Sequence, residues 1–364
     1  MMSTETMRAA RFHGIGDLRI ERVPVPAPGP GELLLRVLAC GVCGSDAGEL
    51  RRSAMIASLE EPHPASGHVG PVTMGHEFAG EVVALGEGVG GVAVGAVVAC
   101  GAGVSNGGGP ARRAARTNLL PSYYTLGFHA DGGLAEYVVA PAAICFDVAP
   151  YGLSADAAAL AQPMAIAVHA ARSGRAVAGE QAVVLGAGGI GVNIAAALAG
   201  WGVEVVVADV DPTRLPIAAA VGAHHTVAAP ELEDLLAREQ ISPDVVFEVS
   251  GSTAGLDTAF AIAPRGGRIV PAGFQKQPYA LDVKRLTMDE RELIGTVAHV
   301  AADDMPEALR LLAARSAGWS DVAPLAIPLE RLHDDALQPL LEGTATRIKT
   351  LIDPHIAAPR PTRA

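Results

Sequence analysis

Five side chains that could bind a metal or move a proton occur in two short segments near the N-terminus. Cys43, Ser45 and Asp46 belong to the segment CGVCGSD at residues 40–46, and His76 and Glu77 follow in the segment GHE. Thiolate, imidazole and carboxylate are the groups that bind Zn²⁺ in proteins, and a catalytic zinc keeps one position open for substrate. The residues therefore predict a catalytic zinc site.

A second motif, GAGGIG at residues 186–191, lies in the middle of the chain. It follows an apolar strand pattern at residues 182–185, opens a helix, and is followed about 20 residues on by a strand ending at Asp209, which is the context of a dinucleotide-binding turn. Gly186, Gly188, Gly189, Ile190 and Gly191 are the predicted cofactor-binding residues of the turn. Its glycines let the backbone approach a pyrophosphate at the helix N-terminus, and Asp209 would accept hydrogen bonds from the ribose. A carboxylate repels a 2′-phosphate and no Arg or Lys immediately follows it, which favours NAD over NADP.

The elements that must position these residues change character along the chain. Residues 8–150 contain short strand patterns, at 32–38, 80–85, 93–99 and 134–140, separated by Gly and Pro, which is typical of an irregular β barrel. A helix is predicted over 155–171. Strands at 182–185, 204–208, 245–249 and 268–272 then alternate with helix-length segments and predict a doubly wound parallel sheet. The α/β class is the expected one, and residues after 297 would rejoin the first domain.

Composition limits the possible partners. The formal charge is −12, with no basic stripe, so nucleic acid is not expected as a partner. The uncharged run at 181–203 contains the glycine turn, so we interpret it as strand, turn and helix and predict no membrane association. The first residues do not read as a signal peptide, and four cysteines in 364 residues fit a reducing cytoplasm. Cys40 and Cys43 could instead form a redox dithiol, but no thioredoxin-like pattern surrounds them.

With these motifs, the chain resembles the zinc-dependent medium-chain dehydrogenases, in particular the sorbitol and 2,3-butanediol dehydrogenase branch. Further segments carry the resemblance: PHP at 62–64, PVTMGHEF at 71–78, GGLAEY at 132–137 and AALAQP at 158–163. The resemblance implies a GroES-like β-rich catalytic domain, split in sequence around a Rossmann domain. We place the first part at 1–163, the NAD-binding domain at 164–297 and the second part at 298–354, followed by a disordered tail at 355–364.

The resemblance also implies roles for individual residues. Cys43 and His76 would bind zinc, and Glu77 would ligate or lie close behind. Asp46 would orient His76, and Ser45 would hydrogen-bond the substrate hydroxyl and pass on its proton.

Three positions depart from the family pattern. Gln162 stands where the branch usually has Glu and related enzymes have Cys, so a neutral amide would complete the ligand set or leave the site depleted of zinc. Gly48 replaces a histidine that relays the proton, so water or His129 would have to serve. Cys100 is the only cysteine of the lobe that holds a structural zinc in relatives, so no structural zinc is expected.

The expected function is NAD-dependent, zinc-assisted oxidation of a secondary alcohol, namely a polyol, cyclitol or vicinal diol, or reduction of the matching ketone. The small-molecule substrate would be handled by a homodimer or homotetramer. Two alternatives stay open: a redox epimerase with retained NAD or a zinc-independent reductase, and a non-catalytic NAD-binding protein.

Overall fold

The computed structural model describes residues 5–52, 59–108, 115–275 and 277–363. The N-terminal strands are β1 (Thr6–Gly14), β2 (Asp17–Pro24), β3 (Glu32–Gly41), β4 (Val72–Thr73), β5 (Glu77–Leu85), β6 (Val97–Cys100), β7 (Gly103–Ser105), β8 (Tyr123–Thr125), β9 (Tyr137–Pro141) and β10 (Cys145–Asp147). The helices of this part are α1 (Gly44–Arg52) and α2 (Ala155–Ala158), and α3 (Ala161–Ser173) follows.

The middle of the chain alternates strands with helices. Its strands are β11 (Gln181–Leu185), β12 (Glu204–Asp209), β13 (His225–Ala228), β14 (Val245–Glu248), β15 (Arg268–Pro271) and β16 (Glu292–Leu293). Its helices are α4 (Gly189–Gly200), α5 (Leu215–Ala220), α6 (Leu232–Glu239), α7 (Thr253–Ile262) and α8 (Val283–Met288). The C-terminal part contains α9 (Ala301–Ala314), α10 (Gln338–Glu342), β17 (Leu325–Ile327), β18 (Leu351–Ile352) and β19 (Arg360–Pro361).

The chain divides into two compact units. The first joins the residues up to Ala165 with those from Val300 onward, and the second is Ile166–His299. These boundaries fall two residues from the predicted ones, at 163/164 and 297/298. The predicted single helix over 155–171 is two helices, α2 and α3, and the first boundary lies within α3.

The first unit is built on a mixed sheet in the order β10-β6-β5-β3-β18-β17-β19, with β9 also paired to β3. Strand β3 alternates half-buried and buried residues from Glu32 to Ala39, as its period-two apolar pattern predicts, and its last two residues are buried as well. It pairs antiparallel with β5 and with β18. The central strand of the first unit therefore joins the N-terminal and C-terminal parts of the chain.

The second unit is a parallel sheet in the order β13-β12-β11-β14-β15-β16. Strand β11 is buried along Ala182–Leu185, as an apolar strand covered on both faces should be. The strand order reverses beside β11, and ligands of such sheets bind at the carboxyl ends of the strands at this point. The predicted doubly wound fold and its strands are confirmed.

The expectation of a disordered tail is wrong for the described residues 355–363. Strand β19 pairs antiparallel with β17. Arg360 forms ion pairs with Asp156, at 2.7 Å, and with Asp353, at 2.9 Å. These ion pairs hold in place a segment that has few large apolar side chains to bury. In the described part of the chain, every helix is too short or too polar to cross a membrane.

Candidate metal centre and dinucleotide turn

The candidate metal ligands lie where β3 and β5 meet. Gly41 at the end of β3 pairs with Glu77 at the start of β5. Cys43 follows β3 and immediately precedes α1, while His76 immediately precedes β5. Antiparallel pairing thus brings two segments, separated in sequence, to the same edge of the sheet.

Three donor groups converge at this edge. A ligand atom from each of Cys43, His76 and Glu77 lies within 4.8 Å of the others. His76 and Glu77 are buried, and Cys43 is half-buried. Among the described residues, this is the one group of three or more His, Cys, Asp or Glu side chains spaced to share an ion. The donor types fit Zn²⁺.

His76 has a polar side chain on each side of its ring. Its Nδ1 lies 3.4 Å from Oδ1 of the buried Asp46, and its Nε2 lies 3.4 Å from the Ser45 hydroxyl. The second oxygen of Asp46 accepts the backbone N–H of Cys43 at 2.9 Å. Burial lowers the pKa of His76, but the Asp46 and Cys43 side chains outweigh it and raise that pKa well above its ordinary value. Asp46 therefore lies beside both candidate ligands and hydrogen-bonds the backbone of Cys43.

Glu77 has a partner that the sequence analysis missed. Lys349 Nζ lies 2.8 and 2.6 Å from the two carboxylate oxygens, and it also donates to the Val42 carbonyl at 3.2 Å. The side chains are only 4% and 1% exposed. Burial lowers the pKa of Lys349, but the neighbouring Glu77 carboxylate reverses this effect and raises it. The one available signal was a lysine within the otherwise uncharged segment IKTLI at residues 348–352.

The three positions that depart from the family pattern are Gln162, Gly48 and Cys100. Gln162 is buried in the first turn of α3. Gly48 lies within α1, where it supplies no side chain to a proton route. Cys100 on β6 lies opposite Cys145 on β10, and both are free cysteines. No structural zinc is expected in the lobe that follows Cys100, and residues 109–114 of this lobe lie outside the described residues.

The glycine turn of the second unit connects β11 to α4. Gly186 has φ +113°, a conformation that side chains disfavour. A Cβ on Gly191 would lie 1.8 Å from the Gly186 carbonyl oxygen, whereas a Cβ on Gly188 would meet nothing within 4 Å. Gly191 is thus required for helix packing, and Gly188 leaves open space above the helix N-terminus. This is the arrangement needed to admit a pyrophosphate.

Asp209 lies at the end of β12 beside the turn. One oxygen accepts the backbone N–H of Ala187 and the other accepts that of Asp211. The Arg214 guanidinium, which the sequence analysis did not consider, lies 3.9 Å from Asp209. A cation is therefore present five residues after the carboxylate, although none immediately follows it.

Glu248 at the end of β14 supports the neighbouring loop. Its Oε1 accepts the backbone N–H groups of Ser250 and Gly251, at 2.8 and 3.1 Å, and its Oε2 accepts Gln275 Nε2 at 2.6 Å. The carboxylate is fully buried. These bonds hold the shape of the loop and give Glu248 no free oxygen for proton transfer.

Comparisons with known proteins agree with this architecture. The alcohol dehydrogenase GroES-like domain family matches residues 29–150, and the zinc-binding dehydrogenase family matches residues 189–314. The (R,R)-butanediol dehydrogenase of Bacillus subtilis (strain 168) is 30% identical over 355 residues, covering 96% of this chain and 100% of the relative. The sorbitol dehydrogenase of the same organism is 29% identical over 358 residues, covering 96% and 98%.

The fold gives the same grouping. The X-ray structure of 2R,3R-butanediol dehydrogenase from Bacillus subtilis superposes with a TM-score of 0.87 at 30% identity, covering 96% of this chain and 100% of that chain. The sequence match and the structural match to butanediol dehydrogenase each cover 96% of this chain. The chain belongs to the zinc-dependent medium-chain dehydrogenase family.

Proposed function

We propose that this protein is a zinc-assisted, NAD-dependent dehydrogenase that oxidises a secondary alcohol to a ketone, or catalyses the reverse reduction. Its substrate would be a polyol, cyclitol or vicinal diol, as the names of its butanediol and sorbitol dehydrogenase relatives suggest. The observation that carries the proposal is the convergence of the Cys43, His76 and Glu77 donors within 4.8 Å. The dinucleotide turn of the second unit would bind NAD, which exchanges the hydride with the substrate.

Cys43, His76 and Gln162 would hold the metal in the proposed site. Both oxygens of Glu77 are already hydrogen-bonded to Lys349, which supports a place for Glu77 beside the metal rather than on it. If Glu77 bound the metal, its contact with Lys349 would weaken. Zinc, when bound, supplies a Lewis acid that lowers the pKa of a bound alcohol or polarises a ketone. Asp46 would orient His76 through Nδ1, which lies 3.4 Å from the Asp46 Oδ1, since a carboxylate behind the ring is typical of a metal-ligating histidine.

Ser45 is placed to handle the substrate proton. Its hydroxyl lies 3.4 Å from His76 Nε2, the nitrogen on the side of the ring away from Asp46. A hydroxyl can accept one hydrogen bond while donating another, so Ser45 can take the proton of a bound alcohol as it gives up its own. Gly48 offers no continuation, and water would carry the proton onward.

The site carries little net negative charge. Lys349 neutralises Glu77, and Gln162 is neutral, so the Cys43 thiolate would be the remaining anionic ligand. A less negative ligand set lowers metal affinity and makes a bound zinc a stronger Lewis acid. This same observation supports the alternatives of a redox epimerase with retained NAD and of a zinc-independent reductase.

The cofactor would bind through the second unit. Gly186, Gly188, Gly189, Ile190 and Gly191 would meet the pyrophosphate, and Asp209 would bind the ribose. Each carboxylate oxygen of Asp209 accepts one backbone N–H and has a further lone pair that would accept a hydrogen bond from a ribose hydroxyl.

A homodimer or homotetramer is the proposed assembly. The segment around the edge strand β16 exposes Val283, Met288, Leu293 and Val297, which are between 40% and 62% exposed. Leu293 lies on β16, which is an edge strand among the described residues, and exposed apolar side chains next to a sheet edge favour association with another chain. The cytoplasmic location expected from cysteine usage stays a prediction.

The test is elemental analysis of protein purified without added metal, together with NAD reduction by a panel of secondary alcohols. Wild-type protein should carry about one zinc per chain and oxidise a diol or polyol. Cys43→Ala should lose both zinc and activity, whereas Cys145→Ala, a thiol substitution outside the site, should keep both. Active protein without zinc, even after reconstitution, would support the zinc-independent alternative, and retained NADH without released ketone would support the epimerase. NAD binding with no turnover would support the non-catalytic alternative.

A further inference from the structure

Two imidazole rings of the first unit stack on each other close to the candidate metal ligands. The ring centroids of His63 and His129 are 4.5 Å apart, with an angle of 22° between the planes. The next residue to His129, Phe128, packs its ring 4.7 Å from the ring of His76. The stack is therefore connected to a candidate metal ligand through a single aromatic side chain.

The turn at residues 63–68 fixes the tautomer of His63. The backbone N–H groups of Ala65 and Ser66 both donate to His63 Nδ1, at 3.3 Å each. The turn is closed by the Gly67 N–H, which donates to the His63 carbonyl at 2.8 Å. Two backbone donors at Nδ1, against one Ser66 hydroxyl oxygen at 3.3 Å, favour the neutral ring that carries its proton on Nε2. His63 Nε2 makes no hydrogen bond to any residue that the structure describes.

A second turn holds His129 in the same way. The Thr125 N–H donates to His129 Nδ1 at 3.0 Å, and the His129 N–H donates back to the Thr125 carbonyl at 2.9 Å. The Ser66 hydroxyl donates to the His129 carbonyl and ties the two turns together. A proton relay through a histidine needs both ring nitrogens, so these contacts argue against the idea that His129 replaces the histidine missing at Gly48.

Charge gives His63 a defined chemical character. Burial, followed by repulsion from His68, lowers the pKa of His63. The ring is therefore neutral at neutral pH and offers one hydrogen-bond donor with no positive charge. Such a group suits a hydroxyl or carbonyl oxygen rather than a phosphate or carboxylate, which cationic donors bind more strongly.

We propose that the Nε2–H of His63 binds a second oxygen of the substrate, and that this bond selects vicinal diols, polyols and hydroxyketones over simple secondary alcohols. The proposal rests on the dehydrogenase function proposed above. His129 would act as a positioning residue, because its ring holds the face of His63 while its turn places Phe128 against His76.

Two substitutions of His63 separate binding from structure. In His63→Asn, the side-chain oxygen can accept the same two backbone N–H groups, as Asn does in turns, but nothing reaches the position of Nε2. In His63→Gln, the longer side chain can bring an N–H to the position of Nε2 but loses the acceptor at Nδ1. The zinc-loaded enzymes are compared for kcat/KM with 2,3-butanediol and with 2-butanol, using NAD.

In His63→Asn, the ratio of kcat/KM for the diol to that for 2-butanol should fall about three- to tenfold, the effect of one neutral hydrogen bond. The change should fall on the diol's KM, with 2-butanol unaffected. His63→Gln should keep most of the ratio while showing a lower Tm. An unchanged ratio in His63→Asn, or equal falls in both variants, would overturn the inference while leaving the dehydrogenase function standing. A wild-type enzyme inactive on both alcohols and on the wider panel would overturn that function, and the inference with it.

Discussion

Removal of the ammonium of Lys349 should destabilise the first unit strongly. The ion pair with Glu77 is almost completely buried, and both carboxylate oxygens contact Nζ at 2.6 and 2.8 Å. In Lys349→Met the apolar chain keeps most of the volume, but Glu77 becomes a buried charge without a partner and the Val42 carbonyl loses its donor. Breaking a buried pair from one side costs about 3–5 kcal/mol. The free energy of unfolding of the metal-free protein should fall by this amount.

Two further variants separate the charge effect from other causes. In the double variant Glu77→Gln with Lys349→Met, no charge remains uncompensated, so most of the loss should be recovered. Arg310→Met removes a surface ion pair, since Arg310 is 52% exposed and Glu307 is 19% exposed. Its cost should be about 0–1 kcal/mol.

The assay is urea unfolding followed by the fluorescence of Trp319, which is 4% exposed and lies in the first unit. Trp201 lies in the second unit, so a Trp201→Phe background leaves one reporter for the unit of interest. Adding zinc should recover part of the stability lost in Lys349→Met, because the released carboxylate gains a cation. A loss below about 1 kcal/mol, or a double variant no more stable than Lys349→Met, would refute the argument that Glu77 is held as a buried anion.

Other predictions address the glycine turn, the ligand set and the thiols. Gly191→Ala should lower Tm and abolish NAD binding measured by calorimetry, because its Cβ would lie 1.8 Å from a backbone oxygen. Gly188→Ala should keep the Tm of the wild type, because its Cβ would meet nothing within 4 Å. Gln162→Glu should raise zinc affinity in a chelator competition, since a carboxylate adds negative charge to the ligand set; equal or weaker affinity would place residue 162 away from the metal. Iodoacetamide should label Cys43 in the metal-free protein well before Cys40, because burial raises the pKa of Cys40 far above its usual range, and zinc should protect Cys43. Mass spectrometry of peptides measures both rates, and early labelling of Cys40 would contradict the burial argument.

Much of the fold could be predicted from the sequence because its signals are local. The apolar run of β11, the glycines after it and Asp209 at the end of β12 specify a strand, turn, helix and strand within about thirty residues. The candidate ligands were predicted because their residue types are rare in combination and their spacing matches a known family. The pairing of β3 with β5 then brings Cys43 and His76 together, as the resemblance implied.

Tertiary structure decided the features that depend on distant contacts. Lys349 meets Glu77 from 272 positions along the chain, and Arg360 reaches Asp156 from 204 positions away. His63 and His129 stack because two separate turns present their rings to each other. Periodicity and composition report local backbone preference and burial, so they indicate that a charged side chain needs a partner without identifying it. The partner is chosen when distant segments of chain pack, because a buried charge is stable only where folding brings an opposite charge to it.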